Sequence, residues 1–406
     1  MNQQFSRTNV CIVGDGAVGK AAALALAQAG LSVSLLSASS TKDAALFSTS
    51  ALPAEWDVRV FALNHVAHRL LDGVKVWGAL DKSRIAEVSA MHVADASEHA
   101  KGLLHFDAYG AYINELAWIV EDSNLNRALD TALRFAPNIQ QYVGTATGMS
   151  IQESYASLQL HDGRTIQAEL IVGADGAQSW VRGQADIGLD YRSYGQQGVV
   201  TNFACTKPHQ GIARQWFVEE QGIIALLPLP GNLVSLVWSA PDALASELLQ
   251  MSLTDLAQRI SIYVHDSLGE LTPLEPATIK AFPLRLIRPH SMVAERVALI
   301  GDAAHAVHPL AGHGMNLGFG DVQALVQILT QREAYRDCGD RRLLRRYQRA
   351  RSEEVALMQI TTDGLARLFG SAFPAVRLVR GAGMNLLNHL PVLKRKLISH
   401  AMGKAT

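Results

Sequence analysis

Apolar runs and a glycine-rich turn alternate over the first forty residues of the chain. A short apolar run at 9–13 leads into the turn, and an alanine- and leucine-rich stretch at 17–29 precedes a second apolar run at 31–36. The lengths and spacing of these segments predict a strand, a turn, a helix and a strand in that order. Gly30 is suited to end the helix, because glycine readily adopts the left-handed conformation needed there.

Two further local patterns predict regular elements in the next part of the chain. Leucine and alanine recur at helical spacing between 125 and 133, with Asp122 or Ser123 available to cap the helix. Strand-like runs between 154 and 172 flank Asp162-Gly163, a dipeptide that favours a tight hairpin turn. The sequence therefore predicts a helix followed by a hairpin.

The hydrophobic pattern changes after about residue 198. Strand-like runs separated by turn residues lie between 198 and 238, and they predict an antiparallel meander in a second domain. A helix is predicted after Ser252, which forms a capping-box-like start with Asp255. A strand at 296–300 then enters another glycine-rich segment, and helical periodicity follows. Because no low-complexity linker separates these parts, we expect the domains to be interleaved.

Composition narrows the possible function classes. The chain has 36 basic and 37 acidic residues, a net charge of -1, so no overall positive field would attract a nucleic acid. Cys11, Cys205 and Cys338 form no CxxC pair, which indicates isolated thiols in a reducing compartment. The N-terminal residues lack the apolar core of a secretory signal, and no apolar stretch reaches the ~20 residues that span a bilayer. We therefore expect a cytoplasmic protein.

The first glycine-rich turn has the spacing of a dinucleotide-binding motif. Gly14, Gly16 and Gly19 follow the first strand and open the first helix near Ala17. Glycines at this spacing allow the backbone to turn tightly and to approach a pyrophosphate at the helix N-terminus. With Lys20 the turn also matches most of a P-loop, but the next residue is an alanine without the hydroxyl that binds magnesium. We prefer dinucleotide binding to a P-loop and to a purely structural turn.

The end of the second predicted strand departs from the usual dinucleotide-binding pattern. An acidic residue commonly stands there and binds a ribose hydroxyl, whereas this chain has Ser37. A serine can make one hydrogen bond but not the charge-assisted contact through two oxygens that a carboxylate makes. The sequence therefore predicts a weaker hold on the adenosine end of the cofactor.

The second glycine-rich segment extends over 301–321. Asp302 follows Gly301 at a predicted strand end, where its carboxylate can bind a polyol hydroxyl. Gly312 and Gly314 leave backbone N–H groups accessible just before a predicted helix. A helix N-terminus at this place would stabilise a bound group that becomes anionic.

Three histidines in the same segment could suggest a metal site. His305, His308 and His313 lie across a loop that contains proline and glycine, and no set of carboxylates accompanies them. We therefore expect no metal and interpret them as loop or packing histidines. For His308, which precedes Pro309, a place in the wall of a substrate pocket is the alternative.

Taken together, the motifs make the chain resemble the class A flavoprotein monooxygenases typified by para-hydroxybenzoate hydroxylase. The early glycine motif, the ADG at 174–176 and the GD at 301–302 occur in the order typical of that class. Within it the chain is similar to the ubiquinone-biosynthesis hydroxylases over about 9–403. The stretches that carry this similarity are WDVRVFAL at 56–63, IVED at 119–122, GADGAQSWVR at 173–182, ALLPL at 225–229, SLVWS at 235–239, FPLRL at 282–286, the segment at 301–321, YQRAR at 347–351 and LKRKLISHAMG at 393–403.

The resemblance implies an α/β fold. A Rossmann-like FAD-binding domain, as in para-hydroxybenzoate hydroxylase, would be interleaved with an antiparallel-sheet substrate domain and followed by C-terminal helices. The implied bounds are 1–75, 110–185 and 285–335 for the FAD-binding domain, 76–109 and 186–284 for the substrate domain, and 336–406 for the helical region.

The resemblance also implies which residues bind FAD. They are Gly14, Gly16, Ala17, Gly19, Ser37, Arg59, Asp175, Gly301, Asp302, Gly312, His313, Gly314, Met315 and Asn316. Among them, the early glycines would face the pyrophosphate, Asp302 the ribityl chain and the 312–316 segment the isoalloxazine. Arg59 would lie near the flavin and pyrophosphate, and Asp175 would shape a groove shared with the nicotinamide. Ser37 stands where the family usually has glutamate, and His313 where it commonly has glutamine.

Some of these residues have simpler alternatives. Arg59 can be a plain surface arginine, and Asp175 can cap the following helix through Gln178 and Ser179. The stretch at 375–402 mixes apolar and basic residues, so it can rest on anionic lipid or pack on the core with a solvated basic face. Packing on the core is the preferred interpretation.

The implied reaction is hydroxylation of a phenol ring. NAD(P)H would reduce FAD, oxygen would add to give a flavin hydroperoxide, and its distal oxygen would pass to a small aromatic, polyprenylated substrate on the route to ubiquinone. The protein would position the ring and exclude water, without a nucleophile of its own. A biosynthetic complex, a homo-oligomer and peripheral membrane contact are compatible partners. The alternatives are a class A monooxygenase for another soluble aromatic and a non-catalytic flavoprotein or scaffold.

Overall fold

A computed structural model describes residues 6–38, 55–96, 102–276, 278–308 and 313–369. Gly312 and the basic stretch at 375–402 lie outside the described residues. Among the helices that are described, none combines the length and the apolar character needed to cross a membrane.

The elements are numbered along the chain. The strands are β1 (Ser6–Val13), β2 (Val33–Ser37), β3 (Val60–Leu63), β4 (Ile85–Val88), β5 (Ala90–Asp95), β6 (Leu103–Asp107), β7 (Ala117–Glu121), β8 (Ile139–Val143), β9 (Ala146–Ile151), β10 (Ala156–Leu160), β11 (Thr165–Gly173), β12 (Leu189–Cys205), β13 (Ile212–Val218), β14 (Gly222–Leu229), β15 (Leu233–Pro241), β16 (Leu271–Pro273), β17 (Lys280–Pro289), β18 (Val293–Ala294) and β19 (Val297–Leu299). The α-helices are α1 (Ala17–Gln28), α2 (His65–Gly73), α3 (Asp122–Arg134), α4 (Trp180–Gln184), α5 (Asp242–Gln250), α6 (Leu253–Leu268), α7 (His313–Thr330) and α8 (Arg341–Phe369).

The first sheet has a parallel core that brings distant parts of the chain to one edge. Its order is β18-β19-β11-β1-β2-β8, and β19, β11, β1, β2 and β8 run parallel. Val13 pairs with Gly173, and Gly173 pairs with Leu299. Since the carboxyl ends of parallel strands meet at the same edge of a sheet, the turns that follow β1, β11 and β19 lie together.

The second sheet contains the predicted meander and one pairing that the sequence pattern did not indicate. Its order is β16-β12-β15-β14-β13-β5-β6, with β17 also on β12. The meander β12–β15 is antiparallel, but β5 runs parallel to β13. The predicted antiparallel meander is therefore confirmed, and one parallel pair extends its sheet. The β5–β6 hairpin comes from an earlier part of the chain and joins the edge of the meander through a long connection.

The two faces of this second sheet have different neighbours. Helices α5 and α6 cover one face, where Leu236 and Trp238 are fully buried. On the other face, Asn202 Nδ2 donates to the Asp57 carbonyl at 3.0 Å. Leu227 packs there with Val60 of the small sheet β3-β7-β4. This second face is therefore directed towards the segment that precedes β3.

Several local predictions are confirmed. Gly163 and Gly30 have φ angles of 84° and 85°, at the hairpin turn and the end of α1. Ser252 caps α6, since its side chain accepts from the Asp255 N–H at 3.1 Å. The three cysteines are buried with free thiols.

The predicted cap of α3 is wrong. The helix begins at Asp122, and neither this residue nor Ser123 caps it, because Glu121 occupies the N-cap position without a capping side-chain bond. Asp57 supplies the acceptor instead, with its Oδ2 3.2 Å from the Ser123 N–H. A residue from a distant segment thus provides the acceptor that local spacing had assigned to Asp122 or Ser123.

Candidate active site

The glycines after β1 have different structural roles. Gly14 has a φ of 112°, and a Cβ built there would lie 2.3 Å from the Ala174 carbonyl oxygen. A Cβ at Gly19 would lie 2.1 Å from the Gly14 carbonyl oxygen. A Cβ at Gly16 would meet no protein atom within 4 Å. Gly14 and Gly19 therefore allow the backbone to fold tightly, whereas Gly16 keeps open the space in front of α1.

The N-terminus of α1 suits a pyrophosphate. Gly16 is its N-cap and has no side chain to accept from the first-turn N–H groups, which start at Ala17. Backbone donors and the helix dipole at such an end favour a phosphate group.

Lys20 is turned away from this turn, because its Nζ lies 2.7 Å from Asp130 Oδ1 and 3.1 Å from Asn126 Oδ1. This placement favours dinucleotide binding over the P-loop alternative.

Ser37 lies at the carboxyl end of β2, next to the neighbouring strand. Its hydroxyl donates to the Tyr142 carbonyl at 3.3 Å, and its side chain is half-buried. The hydroxyl thus has a partner within the sheet. Its oxygen can still accept from a ribose hydroxyl, but it lacks the charge and the second oxygen that a carboxylate offers.

Asp302 lies in a turn at the same edge. Gly301 has a φ of 59°, and its carbonyl accepts from the N–H groups of Ala304 and His305 at 2.8 and 2.9 Å. The Asp302 side chain is exposed, yet desolvation by the protein around it raises its pKa, while His305 and Arg59 act to lower it. A carboxylate that is accessible on one side and closely surrounded on the others lies in a cleft.

Arg59 is placed near this cleft but is held only loosely. Its side chain is 62% exposed, and its NH1 lies 3.9 Å from Asp122 Oδ2. Its guanidinium lies 5.3 Å from the centre of the Phe61 ring. Because Arg59 acts on the pKa of Asp302, the two side chains share one electrostatic environment.

Asp175 uses both carboxylate oxygens within the protein. Oδ1 accepts from the Ser179 hydroxyl at 2.5 Å, and Oδ2 accepts from the Val181 N–H at 3.0 Å. These contacts support the capping interpretation for its side chain. Sequence reasoning did not assign a role to Arg182, which is buried and donates to the Ala303 carbonyl at 2.9 Å. Arg182 thereby links α4, the helix that follows the ADG segment, to the turn that carries Asp302.

The segment predicted to line the isoalloxazine is described from His313 onwards, without the side chain of His313. Helix α7 begins at His313, so Gly314 lies in its first turn rather than before it. Met315 is partly buried. Asn316 is buried, and its amide joins the end of β3 to α2: Oδ1 accepts from Asn64 N–H at 2.9 Å, and Nδ2 donates to the Ala62 carbonyl at 2.8 Å.

The two described histidine side chains of the 301–321 segment have separate partners. His305 Nε2 lies 2.6 Å from Asp321 Oδ2, and His308 Nε2 lies 3.0 Å from Gln196 Oε1. Burial lowers the pKa of His308 to about 4, although Asp363 acts in the opposite direction. Within the described residues, no group of three or more His, Cys, Asp or Glu side chains is arranged to hold a metal ion.

Known proteins share both sequence and fold with this chain. A family model described as an FAD binding domain matches residues 124–360. The chain is 33% identical over 398 residues to 3-demethoxyubiquinol 3-hydroxylase of Escherichia coli (strain K12), with 98% of each chain covered. It is 33% identical over 397 residues to ubiquinone hydroxylase UbiL of Rhodospirillum rubrum, with 97% of this chain and 89% of the relative covered.

A solved structure extends the comparison to the fold. The crystal structure of p-nitrophenol 4-monooxygenase PnpA from Pseudomonas putida DLL-E4 superposes with a TM-score of 0.75 at 16% identity, covering 99% of this chain and 100% of that one. The α/β fold expected from the sequence is thereby confirmed. The chain belongs to the FAD-binding-domain family, within the ubiquinone-biosynthesis hydroxylases of the class A flavoprotein monooxygenases.

Proposed function

We propose that this protein hydroxylates the aromatic ring of a ubiquinone precursor, with FAD as cofactor, NAD(P)H as electron donor and O2 as the oxygen source. The observation that carries the proposal is the meeting of three motifs at one sheet edge. Gly14, Ala174 and Gly301 follow strands that pair in register, and together they form a cradle of the kind that a dinucleotide needs.

In this proposal, the residues of the chain bind FAD and orient it. The open N-terminus of α1 at Gly16 would hold the pyrophosphate, Asp302 a ribityl hydroxyl, and the N-terminus of α7 at His313 and Gly314 would lie along the flavin ring. When bound, FAD supplies the oxygen chemistry that no amino-acid side chain provides. Arg59 would add a positive charge near the cofactor phosphates.

The second sheet provides an apolar surface for the substrate. Val200, Val237 and Ala225 are neighbours in register across β12, β15 and β14. Alternation along the strands places them on the face opposite α5 and α6, the same face as Asn202. An apolar wall of this kind excludes water and suits an uncharged aromatic ring with a hydrocarbon chain.

The names of the relatives narrow the substrate. One relative is named for 3-demethoxyubiquinol and the other for ubiquinone. A phenol ring that carries a polyprenyl chain is therefore the proposed substrate of this protein. Association with a biosynthetic complex, self-association and contact with a membrane surface stay predictions.

The proposal is tested on the purified protein and on a deletion strain. We expect FAD to co-purify without a covalent bond and to be released by acid denaturation. NADH or NADPH oxidation should require O2 and a phenol, and one oxygen atom should enter the ring. The deletion strain should accumulate a ubiquinone precursor that lacks one ring hydroxyl. Normal ubiquinone in that strain, together with hydroxylation of a water-soluble aromatic by the purified enzyme, would favour the soluble-aromatic alternative.

A non-catalytic flavoprotein is the second candidate function, and Ser37 is the observation that favours it. A weakened adenosine contact is tolerable in a protein that no longer turns over. Protein that stays colourless with added FAD, while its deletion still disrupts ubiquinone formation, would support this candidate instead.

A further inference from the structure

A buried carboxylate lies directly beneath the turn that carries Asp302. Asp321 on α7 exposes none of its side chain. Its Oδ2 accepts from the Gly301 N–H at 2.9 Å and lies 2.6 Å from His305 Nε2. One carboxylate oxygen therefore holds both ends of the turn, the residue before Asp302 and the third residue after it.

The other oxygen of this carboxylate is held by the long helix α8. Arg351 Nε lies 2.8 Å from Asp321 Oδ1, and Arg351 NH2 donates to the Leu317 carbonyl at 3.1 Å. The guanidinium passes over Gly320, where a Cβ would lie 2.8 Å from its NH2 atom. Burial acts to raise the pKa of Asp321, but His305 and Arg351 outweigh it and lower this pKa. Asp321 is therefore an ionised carboxylate with each oxygen committed.

The backbone of the turn is what directs Asp302. Among the described residues, the side chains that act on the Asp302 carboxylate do so through their charge and not through a hydrogen bond, which leaves its orientation to the backbone turn. Gly301 adopts a left-handed φ of 59°, and its N–H is the group that Asp321 holds. A change at Asp321 would therefore reach Asp302 through the backbone.

We propose that Asp321, locked by Arg351, is a positioning residue that aims Asp302 at the cofactor and so sets the affinity for FAD. The inference rests on the proposed contact between Asp302 and FAD. It makes α8, which begins twenty residues after Asp321 and packs on α7 through Arg351, a part of the flavin site. Sequence reasoning gave Asp321 and Arg351 no role, although both lie in stretches that resemble the family.

The test is a double-mutant cycle read out by FAD dissociation from the full-length protein, measured by flavin fluorescence. Asp302→Ala should raise the Kd roughly 10- to 150-fold, the range for losing one charge-assisted hydrogen bond. Asp321→Asn should raise it about 10-fold. The double variant should bind no more weakly than Asp302→Ala alone, because Asp321 acts through Asp302.

A matched control separates positioning from general destabilisation. Asp337→Asn makes the same substitution in another ion pair, since Asp337 Oδ2 lies 2.9 Å from Arg296 NH2 near the start of β19, away from the turn. Both Asn variants should lower the unfolding temperature of the apo-protein, but only Asp321→Asn should raise the Kd for FAD. If Asp321→Asn does not fold, His305→Ala removes one contact to the same oxygen and should give a smaller rise of the same kind.

Each result has a defined meaning. An unchanged Kd in Asp302→Ala would overturn the contact between Asp302 and FAD. A weakened Asp302→Ala beside an unchanged Asp321→Asn would overturn the positioning role alone. Effects that multiply in the double variant would also overturn it, because they would show that Asp321 acts on FAD binding by a route that does not pass through Asp302.

Discussion

At the scale of the residue, we expect Arg59 to contribute to the affinity for a ligand but little to the stability of the fold. Its side chain is mostly exposed, and its ion pair with Asp122 is long, at 3.9 Å. Such a pair contributes little to folding in water. The same guanidinium nevertheless acts on the pKa of Asp302 in the cleft. Its main effect should therefore be on what binds there.

We expect Arg59→Ala to change the unfolding free energy of the apo-protein by less than about 1 kcal/mol. FAD affinity should fall about fivefold, since a positive charge near the phosphates is lost. Chemical denaturation and FAD titration at two salt concentrations measure the two effects, and the loss should shrink at high salt. If Arg59→Ala leaves the affinity for FAD unchanged at low salt, Arg59 is a plain surface arginine.

Ser37 is a second residue that we expect to affect the affinity for FAD without touching the reacting ring. We predict that Ser37→Glu tightens FAD by on the order of 1 kcal/mol, because a carboxylate can contact two ribose hydroxyls. The gain is limited by desolvation of the new charge and by loss of the bond to the Tyr142 carbonyl. NAD(P)H oxidation at saturating FAD should be unchanged. Weaker FAD binding in a folded Ser37→Glu protein would mean that another residue holds the ribose.

At the scale of the element, local patterns predicted much of the fold. The β1-α1-β2 unit, the hairpin at Gly163, the meander and the capped helix α6 all follow from spacing over a few residues. The parallel pairing of β5 with β13 could not be predicted in this way, because it joins segments more than one hundred residues apart. The contact of Asp57 with the start of α3 was also not predicted, because it joins residues 66 positions apart.

The residues of the candidate site show the same difference between local and long-range features. The glycines and Asp302 are visible as motifs because adjacent residues build each turn. Asp321 and Arg351 were not assigned, since their bond connects two helices and depends on how those helices pack. The available signal was an aspartate among the apolar positions of α7, where an unpaired charge would be unfavourable.

The turn before α1 allows a matched test of two glycines. We expect Gly14→Ala to destabilise the apo-protein by on the order of 3 kcal/mol, because the φ of 112° and the nearby Ala174 carbonyl both exclude a side chain. Gly16→Ala should change apo stability by less than about 1 kcal/mol, since its Cβ meets open space. It should nevertheless weaken FAD, because that space would receive the pyrophosphate. Thermal unfolding and FAD titration of both variants decide this, and normal FAD affinity in Gly16→Ala would place the pyrophosphate elsewhere.

At the scale of the whole molecule, His308 lies where several parts of the structure meet. It is fully buried, its ring contacts Tyr194 of β12 edge-on at 4.9 Å, and Asp363 of α8 acts on its pKa. The protein therefore has a titratable group at the junction of its second sheet and its last described helix.

We predict that His308 makes the fold sensitive to acid. Its folded pKa of about 4 is below its ordinary value of 6.5. The unfolded chain thus takes up a proton between pH 6.5 and 4 that the folded protein does not. The contribution of His308 to the free energy of unfolding is fully present above pH 6.5. It falls by up to about 3 kcal/mol as the pH falls towards 4. In His308→Gln this slope of unfolding free energy against pH should be shallower, and an identical slope would contradict the assignment. His92 also has a lowered pKa of about 4 and should leave part of the slope in place.

The register of the first sheet has a consequence for how the protein is made. The turn at Gly14 is closed by Ala174, and the turn at Gly301 follows β19, whose partners among the described strands are β11 and β18. At roughly 5–20 residues per second of synthesis, the ribosome needs at least about 15 s to reach that last turn. We therefore expect FAD to have no complete cradle on the nascent chain until about three-quarters of it has been translated. Flavin would then stabilise only chains that have been translated past that turn, and a product terminated before it would carry the first glycine motif without a complete FAD site.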